Sequence, residues 1–222
     1  MSKTSPLKLN PHSVIVFQGN SITDAGRNRL QIEPNTPAGL GGGYPAQVAE
    51  RLLEEGNPHA LQIYNRGVSG DELPDLHRRW ERDTLPLLPD VLSILIGIND
   101  LWLQVQRGGG FNRKGTELLY RKLLEITRKE LPYTDLILCQ PFLLTGGQIP
   151  VHWQDPAREL GELVRELAEE FGAVFVPFQQ ALDTAAEEVS SRQLLSDGVH
   201  PTPRGHRILA ECWLEHVLGK AE

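Results

Sequence analysis

Residues 91–100 read VLSILIGIND, and this stretch decides the fold. Its first six residues are apolar apart from Ser93, and polar and apolar side chains do not alternate along it. An unbroken apolar run of this length is typical of a strand buried on both faces, as in the centre of a parallel sheet. The run ends at Gly97, and the polar pair Asn99 and Asp100 follows. The stretch therefore predicts a central parallel strand with polar side chains at its carboxyl end.

Shorter apolar runs lie on either side of this strand in the sequence, and amphipathic segments separate them. The most periodic segment places apolar side chains at helical spacing from Leu160 to Phe171, and Gly172 ends it. Near the carboxyl terminus, Thr202 is suited to cap a helix whose first residue is Pro203. We predict strands over residues 14–17, 61–64, 91–96, 136–139 and 174–176, and helices over 44–55, 73–85, 114–130, 160–171 and 203–218.

This alternation of strands and helices predicts an α/β fold. Five strands with helices between them imply a three-layer α/β/α sandwich, in which helices cover both faces of a mainly parallel sheet. The sequence contains no internal repeat and no low-complexity linker. We therefore expect a single domain over residues 1–222, with its core at about 14–218.

Composition excludes several classes of partner. The 222 residues include 22 Lys and Arg against 29 Asp and Glu, which gives a formal net charge of −7. Nucleic acids and anionic membranes are bound by clustered Lys and Arg, so we expect this chain to bind neither. The two cysteines, Cys139 and Cys212, lie in apolar surroundings and are predicted to be buried thiols in a reducing compartment. Without a signal peptide or a membrane-spanning stretch in the sequence, we expect a soluble, cytoplasmic protein.

Polar, glycine-containing turns follow three of the predicted strands. They are GNSITD at residues 19–24, NRGVSG at 65–70 and GIND at 97–100. A fourth polar segment, DGVHP at 197–201, precedes the last predicted helix. Because the carboxyl ends of parallel strands meet at one edge of a sheet, where ligands bind, the segments predict a shared site there.

The residue types in these segments predict acyl transfer. Asp197 precedes His200 by three residues, so one turn of chain can bring the carboxylate to the imidazole and orient it. Ser21, in the turn after the first strand, is the candidate nucleophile for an ester carbonyl. The backbone N–H groups of Ser21 and Gly67 and the side-chain amide of Asn99 are candidate donors to the resulting oxyanion. No histidine or cysteine spacing matches a zinc site, so we expect no metal.

The four segments together resemble those of the SGNH hydrolases, also called GDSL-like esterases. The resemblance extends in order over about residues 14–218, nearly the whole chain. It implies a serine esterase of α/β/α fold without a metal or organic cofactor. The resemblance also implies the roles of the site residues. Ser21 is the nucleophile, Gly67 and Asn99 are further oxyanion donors, His200 is the base, and Asp197 completes the triad.

Within that family, the chain is most similar to intracellular bacterial acetylxylan esterases and related carbohydrate acetylesterases. The similarity rests on residues 21–24, 69–81, 97–102 and 200–210. It implies a small acetylated sugar as substrate, such as a xylo-oligosaccharide, and a homo-oligomeric assembly.

Two residues depart from the family pattern, and several others are candidates for the pocket. Asn20 stands where the family has Asp, which removes a negative charge beside the nucleophile, and Ser196 stands where near relatives carry an aromatic residue. Trp102 is expected to form a wall of a small pocket that favours acetyl, because each further methylene needs its own space. The candidate pocket residues are Asn20, Trp102, His152 and Trp153.

Three alternatives stay open at this point. A lysophospholipase or thioesterase would use the same residues on longer acyl chains. A non-catalytic carbohydrate-binding relative would have Asn20 as the first sign of lost activity. A flavodoxin-like nucleotide binder is disfavoured, because the glycine-rich residues 39–43 lack the Lys and Ser or Thr of a phosphate-binding loop.

Overall fold

Five parallel strands form one sheet in the computed structural model, which describes residues 6–53, 59–145 and 148–219. The strand order is β2-β1-β3-β4-β5, and each of the four pairings is parallel. This confirms the predicted fold class. The strands are β1 (Val14–Gly19), β2 (Gln62–Asn65), β3 (Val91–Leu95), β4 (Asp135–Cys139) and β5 (Val174–Val176).

Helices cover both faces of this sheet. The α-helices of the described residues are α1 (Ser21–Asp24), α2 (Pro37–Leu40), α3 (Tyr44–Leu52), α4 (Leu73–Asp83), α5 (Ile98–Gln106), α6 (Arg113–Glu130), α7 (Gln154–Glu170), α8 (Phe178–Ala186), α9 (Ser191–Leu194) and α10 (Pro203–Leu218). Helices α3 and α8 pack on α10, whereas α4 and α7 pack on α6. The two groups form the outer layers of the sandwich.

Strand β3 is the centre of the sheet, as its sequence predicts. It lies between β1 and β4, and all five of its residues are buried. Its one polar side chain, Ser93, accepts a hydrogen bond of 3.0 Å from the indole Nε1 of Trp213 on α10. Since buried polar groups need a partner, this bond lets a serine occupy the core of the sheet.

The start of the last helix also follows the prediction. Thr202 caps α10 by accepting a hydrogen bond of 3.2 Å from the backbone N–H of Gly205, and Pro203 is the first helical residue. Just before the cap, the backbone N–H of Ser196 donates to the carbonyl of His200 at 2.8 Å, which closes the segment into a tight loop. The helix therefore holds this loop at the carboxyl edge of the sheet.

Among the described residues, the short helices α1, α2 and α9 and the two longer helices α5 and α8 were not predicted. Helix α5 starts directly after Gly97, without a side-chain cap, so Asn99 lies in its first turn and not in a loop. Helix α8 buries only Phe178 and Leu182, which is too weak a stripe to stand out in the sequence. The predicted end of α3, at residues 54–58, lies outside the described residues.

Candidate active site

Ser21 is the first residue of α1, immediately after β1. The preceding residue, Asn20, caps this short helix, and its side-chain Oδ1 accepts a hydrogen bond of 3.2 Å from the backbone N–H of Ile22. The backbone N–H of Ser21 lies in the first helical turn, where such groups have no acceptor within the helix. The strand end and the cap together fix both the hydroxyl and the N–H of Ser21.

Three predicted side chains form one chain of hydrogen bonds. The Oγ of Ser21 lies 2.9 Å from Nε2 of His200, and Nδ1 of the same ring lies 2.7 Å from Oδ2 of Asp197. Residues 179 positions apart are thus in contact, because β1 and the loop before α10 end at the same edge. In this geometry the ring can accept the serine proton while the carboxylate holds the ring in place.

Asp197 is held in its charged form by the loop around it. Burial alone would raise the pKa of its carboxyl group, but hydrogen bonds from the loop outweigh that effect and lower the pKa below its ordinary value. Its Oδ1 accepts the backbone N–H groups of Val199 at 2.9 Å and His200 at 2.8 Å, and its Oδ2 faces the His200 ring. Each of these bonds favours the carboxylate over the neutral acid.

The loop after β2 corrects one prediction. The backbone N–H of Gly67 donates to Oδ1 of Asn65 at 2.9 Å, so it is not free to bind an oxyanion. Gly67 instead allows a close approach, because a Cβ atom there would collide with the backbone N of Asp24. Gly67 therefore has a packing role, because it lets the segments after β1 and β2 come together.

A second glycine of this loop is exposed. Residues 68–71 form a turn closed by a hydrogen bond of 3.2 Å from the N–H of Asp71 to the carbonyl of Val68. Gly70 is the third residue of the turn, with φ of 89°, and a Cβ atom there would meet nothing within 4 Å. A positive φ at this position is typical of a type II turn and requires glycine or asparagine. The sequence VSGD carries this turn signal, which our prediction overlooked.

Asn99 lies beside the same turn. Its Nδ2 donates a hydrogen bond of 2.9 Å to the backbone carbonyl of Asp71, the residue after Gly70. An amide nitrogen carries two N–H groups, so one remains to bind another acceptor. The first turn of α5 thus presents a neutral donor that is held in place by the loop after β2.

The candidate pocket residues fall into different environments. Asn20 is 1% exposed, so it lies beneath the nucleophile and does not line a pocket, contrary to the prediction. Trp102 is half-buried and packs edge to face on the buried Trp153, with ring centroids 4.8 Å apart. His152 is exposed on a short 3-10 helix. The Oγ of Ser196 donates a hydrogen bond of 3.1 Å to the backbone carbonyl of His200, which stabilises the loop that carries His200.

Asp100 follows Asn99 and has an unusual environment. Both of its oxygens lie 3.1 Å from the backbone N–H of Leu73 at the start of α4. Burial nevertheless raises the pKa of Asp100 from 3.8 to about 7, and the nearby charge of Glu72 acts in the same direction. The side chain therefore ties α4 to α5 and takes up a proton near neutral pH.

Asp100→Asn is expected to remove a pH dependence of stability. Since the folded pKa is the higher one, the folded chain keeps a proton that the unfolded chain releases between pH 3.8 and about 7. The free energy of unfolding therefore falls as pH rises through this window, by up to about 4 kcal/mol. Urea unfolding of wild type and variant at pH 4.5 and pH 7.5 measures the difference. Asp155→Asn, at an exposed carboxylate, is the control. If the free energies of unfolding of wild type and Asp100→Asn differ by the same amount at both pH values, the raised pKa of Asp100 is contradicted.

The described residues also bear on metal binding, membrane spans and the cysteines. Within residues 6–53, 59–145 and 148–219, no cluster of three or more His, Cys, Asp or Glu is arranged to hold a metal ion. In the same ranges no helix is long and apolar enough to cross a membrane. Cys139 and Cys212 are free thiols and are buried, as predicted.

The chain is similar to known proteins over most of its length. A model of the GDSL-like lipase/acylhydrolase family matches residues 17–208. The chain belongs to this family. This GDSL-like hydrolase is 34% identical to an acetylxylan esterase of Geobacillus stearothermophilus over 221 residues, which cover 95% of the chain and 96% of the relative. The family and its acetylxylan esterase branch are those that the four sequence segments resemble.

Solved structures of relatives superpose closely on this GDSL-like hydrolase. A protein of Parabacteroides merdae described as a GDSL-like lipase has a TM-score of 0.92 at 40% identity, and the match covers 97% of this chain and 100% of the other. A variant of an acetyl-xylooligosaccharide esterase from Geobacillus has a TM-score of 0.85 at 31% identity, with 95% and 96% covered. The family and these relatives establish a carboxylic-ester hydrolase of the predicted fold.

Proposed function

We propose that this hydrolase removes acetyl groups from small carbohydrates through an acyl-enzyme on Ser21. The observation that carries the proposal is the unbroken chain from Ser21 Oγ through the His200 ring to the Asp197 carboxylate, at 2.9 and 2.7 Å. His200 Nε2 takes the proton of Ser21 as Oγ attacks the ester carbonyl, and it then gives that proton to the leaving sugar hydroxyl. Water attacks the acetyl-enzyme by the same route, which releases acetate and restores the serine.

The oxyanion formed in each step needs donors that are fixed in advance. We assign this role to the backbone N–H groups of Ser21 and Gly70 and to the free N–H of Asn99 Nδ2. Gly70 replaces Gly67 because the latter already donates to Asn65, whereas Gly70 is exposed in the turn that holds Asn99. Donors of this kind stabilise charge that develops only in the transition state, so they raise kcat more than they lower KM.

Asn99→Ala tests this assignment. We expect kcat to fall by about 10²- to 10³-fold with KM within a few-fold of wild type, because the N–H that faces the substrate acts on the oxyanion and not on the ground state. Steady-state hydrolysis of p-nitrophenyl acetate measures both constants. Gln104→Ala, on the same helix, is the matched control. A rise in KM with kcat unchanged would mean that Asn99 binds the ground state of the substrate instead.

The substrate class rests on the relatives and on the pocket. The Geobacillus relatives are an acetylxylan esterase and an acetyl-xylooligosaccharide esterase, at 34% and 31% identity to this chain. Trp102 lies one helical turn after Asn99 and packs on Trp153, and a rigid wall in this position would leave little room for further methylenes. The cytoplasmic location and the homo-oligomeric assembly predicted from the sequence belong to the same proposal, and a cytoplasmic location suits a small imported sugar ester.

Deacetylation of a panel of acetylated oligosaccharides, read by mass spectrometry, tests the proposal. We expect the mass of the sugar to fall by about 42 Da for each acetyl ester that is cleaved, since hydrogen replaces the acetyl group. With Ser21→Ala we expect no change in mass. Rates that rise with acyl chains longer than butyrate would favour the lysophospholipase or thioesterase alternative. Tight sugar binding without ester cleavage would favour the non-catalytic one.

A further inference from the structure

We propose that Arg79 is a positioning residue that sets the geometry of the oxyanion donors, an inference that rests on the proposed function. Arg79 lies on α4, and its side chain is 7% exposed. It contacts neither Ser21 nor Asn99 in the hydrogen bonds of the described residues, but it joins the end of β1 to the loop after β2, and that loop in turn holds Asn99. No part of the sequence pattern distinguishes it from its charged neighbours.

The guanidinium binds the end of β1 and the start of the loop after β2. Its Nη2 donates to the carbonyl of Gly19 at 3.1 Å, two residues before the nucleophile. Its Nη1 donates at 2.8 Å to the side-chain Oε1 of Gln18 and at 2.8 Å to the carbonyl of Arg66. A single planar group thus fixes the separation between the loop of Ser21 and the loop of Gly70.

The same group is linked to the donor on α5 through Asp71. Nε of Arg79 donates at 2.6 Å to Oδ2 of Asp71, while the backbone carbonyl of Asp71 accepts the Nδ2 of Asn99 at 2.9 Å. Asp71 is therefore held at its side chain by Arg79 and holds Asn99 by its main chain. Displacement of Asp71 would move both the turn of Gly70 and the amide of Asn99.

The degree of burial separates this arginine from a surface ion pair. Removal of a guanidinium from water is costly unless its N–H groups find partners, and Arg79 has four strong acceptors besides Asp83 at 3.4 Å. The adjacent Arg78 pairs with Asp75, but its side chain is 76% exposed. Five acceptors around one buried group fix its position more closely than a solvated pair could, which is what placement of a donor requires.

Arg79→Lys tests the inference, because lysine keeps the charge but loses the planar set of donors. We expect kcat to fall about tenfold or more with KM within about twofold, since a misplaced donor weakens only the transition state. The rates are expressed per active site titrated with an organophosphate, which removes any unfolded fraction. Arg78→Lys is the matched control and keeps the wild-type kcat. Asp71→Asn, which keeps an acceptor and the backbone carbonyl, is a second variant for which the same fall is expected.

A double-mutant cycle distinguishes positioning from a general loss of stability. If Arg79 acts through Asn99, the loss caused by Arg79→Lys shrinks below about threefold in an Asn99→Ala background. Full additivity of the two losses would overturn the inference, and so would a lower Tm with unchanged kcat per titrated site.

A second readout does not depend on activity. Hydrogen exchange of the Asn99 side-chain amide, assigned by its absence from the NMR spectrum of Asn99→Ala, is expected to be faster in Arg79→Lys than in wild type. Unchanged exchange would overturn the inference even if the esterase activity is established. If the wild type hydrolyses no ester, the proposed function fails, while faster exchange in the variant still supports the role of Arg79 as a positioning residue.

Discussion

Ser21→Ala is expected to lower kcat for ester hydrolysis by about 10⁴-fold or more, which leaves only the small effect of binding and the oxyanion donors. The alanine removes the Oγ that lies 2.9 Å from His200 Nε2, so no acyl-enzyme can form. The fold should be unaffected, because α1 is capped by Asn20 and the serine side chain makes no cap. Hydrolysis of p-nitrophenyl acetate and circular dichroism measure the two effects.

A matched serine and a covalent probe complete this experiment. Ser191→Ala, on α9, is expected to keep the wild-type rate. An organophosphate should add one label to the wild type and to Ser191→Ala, and none to Ser21→Ala, as seen by intact mass. Hydrolysis or labelling that survives in Ser21→Ala would show that another group is the nucleophile.

The parts of the fold that could be predicted are those in which one local signal outweighs all others. The continuous apolar run at 91–95 can only be stable when both of its faces are covered, so it predicts its own place at the centre of the sheet. Thr202 and Pro203 predict the start of α10 because capping is a property of a few neighbouring residues.

Helices α5 and α8 could not be predicted in the same way. Helix α5 lacks a capping side chain, and its sequence INDLWLQVQ continues the apolar strand without a clear change of period. Helix α5 packs on α7, and the sequence does not display this tertiary contact locally. Tertiary contacts of this kind override weak propensities.

The candidate site likewise contains contacts that could be predicted from the sequence and contacts that could not. The spacing of Asp197 and His200 predicts their contact, because three residues span one turn of chain. The donor role predicted for the backbone N–H of Gly67 does not fit the structure, because this group donates to Asn65, and the sequence does not show which N–H groups of the loop are occupied. Arg79 could not be predicted either, since a charged residue on an amphipathic helix is expected to face water and this one is buried.

The loop of Asp197 determines what an amide would do in its place. Oδ1 accepts two backbone N–H groups, from Val199 and His200, whereas Oδ2 faces Nδ1 of the His200 ring. An asparagine can satisfy the two N–H groups only with its oxygen, so its NH₂ group must face the ring. A donor opposite Nδ1 requires that this nitrogen carry no proton, which places the ring proton on Nε2.

Asp197→Asn is therefore expected to lower kcat by about 10⁴-fold without a large change in structure, because Nε2 with its own proton cannot accept the proton of Ser21. Asp197→Ala leaves the ring free to choose its tautomer, so the asparagine variant should be at least as slow as the alanine variant, although it is closer in shape. Kinetics of both variants, with Asp155→Asn as a surface control, measure the order. NMR of the imidazole nitrogens reports the tautomer directly, and an Nδ1–H ring in Asp197→Asn would contradict this account of the loop.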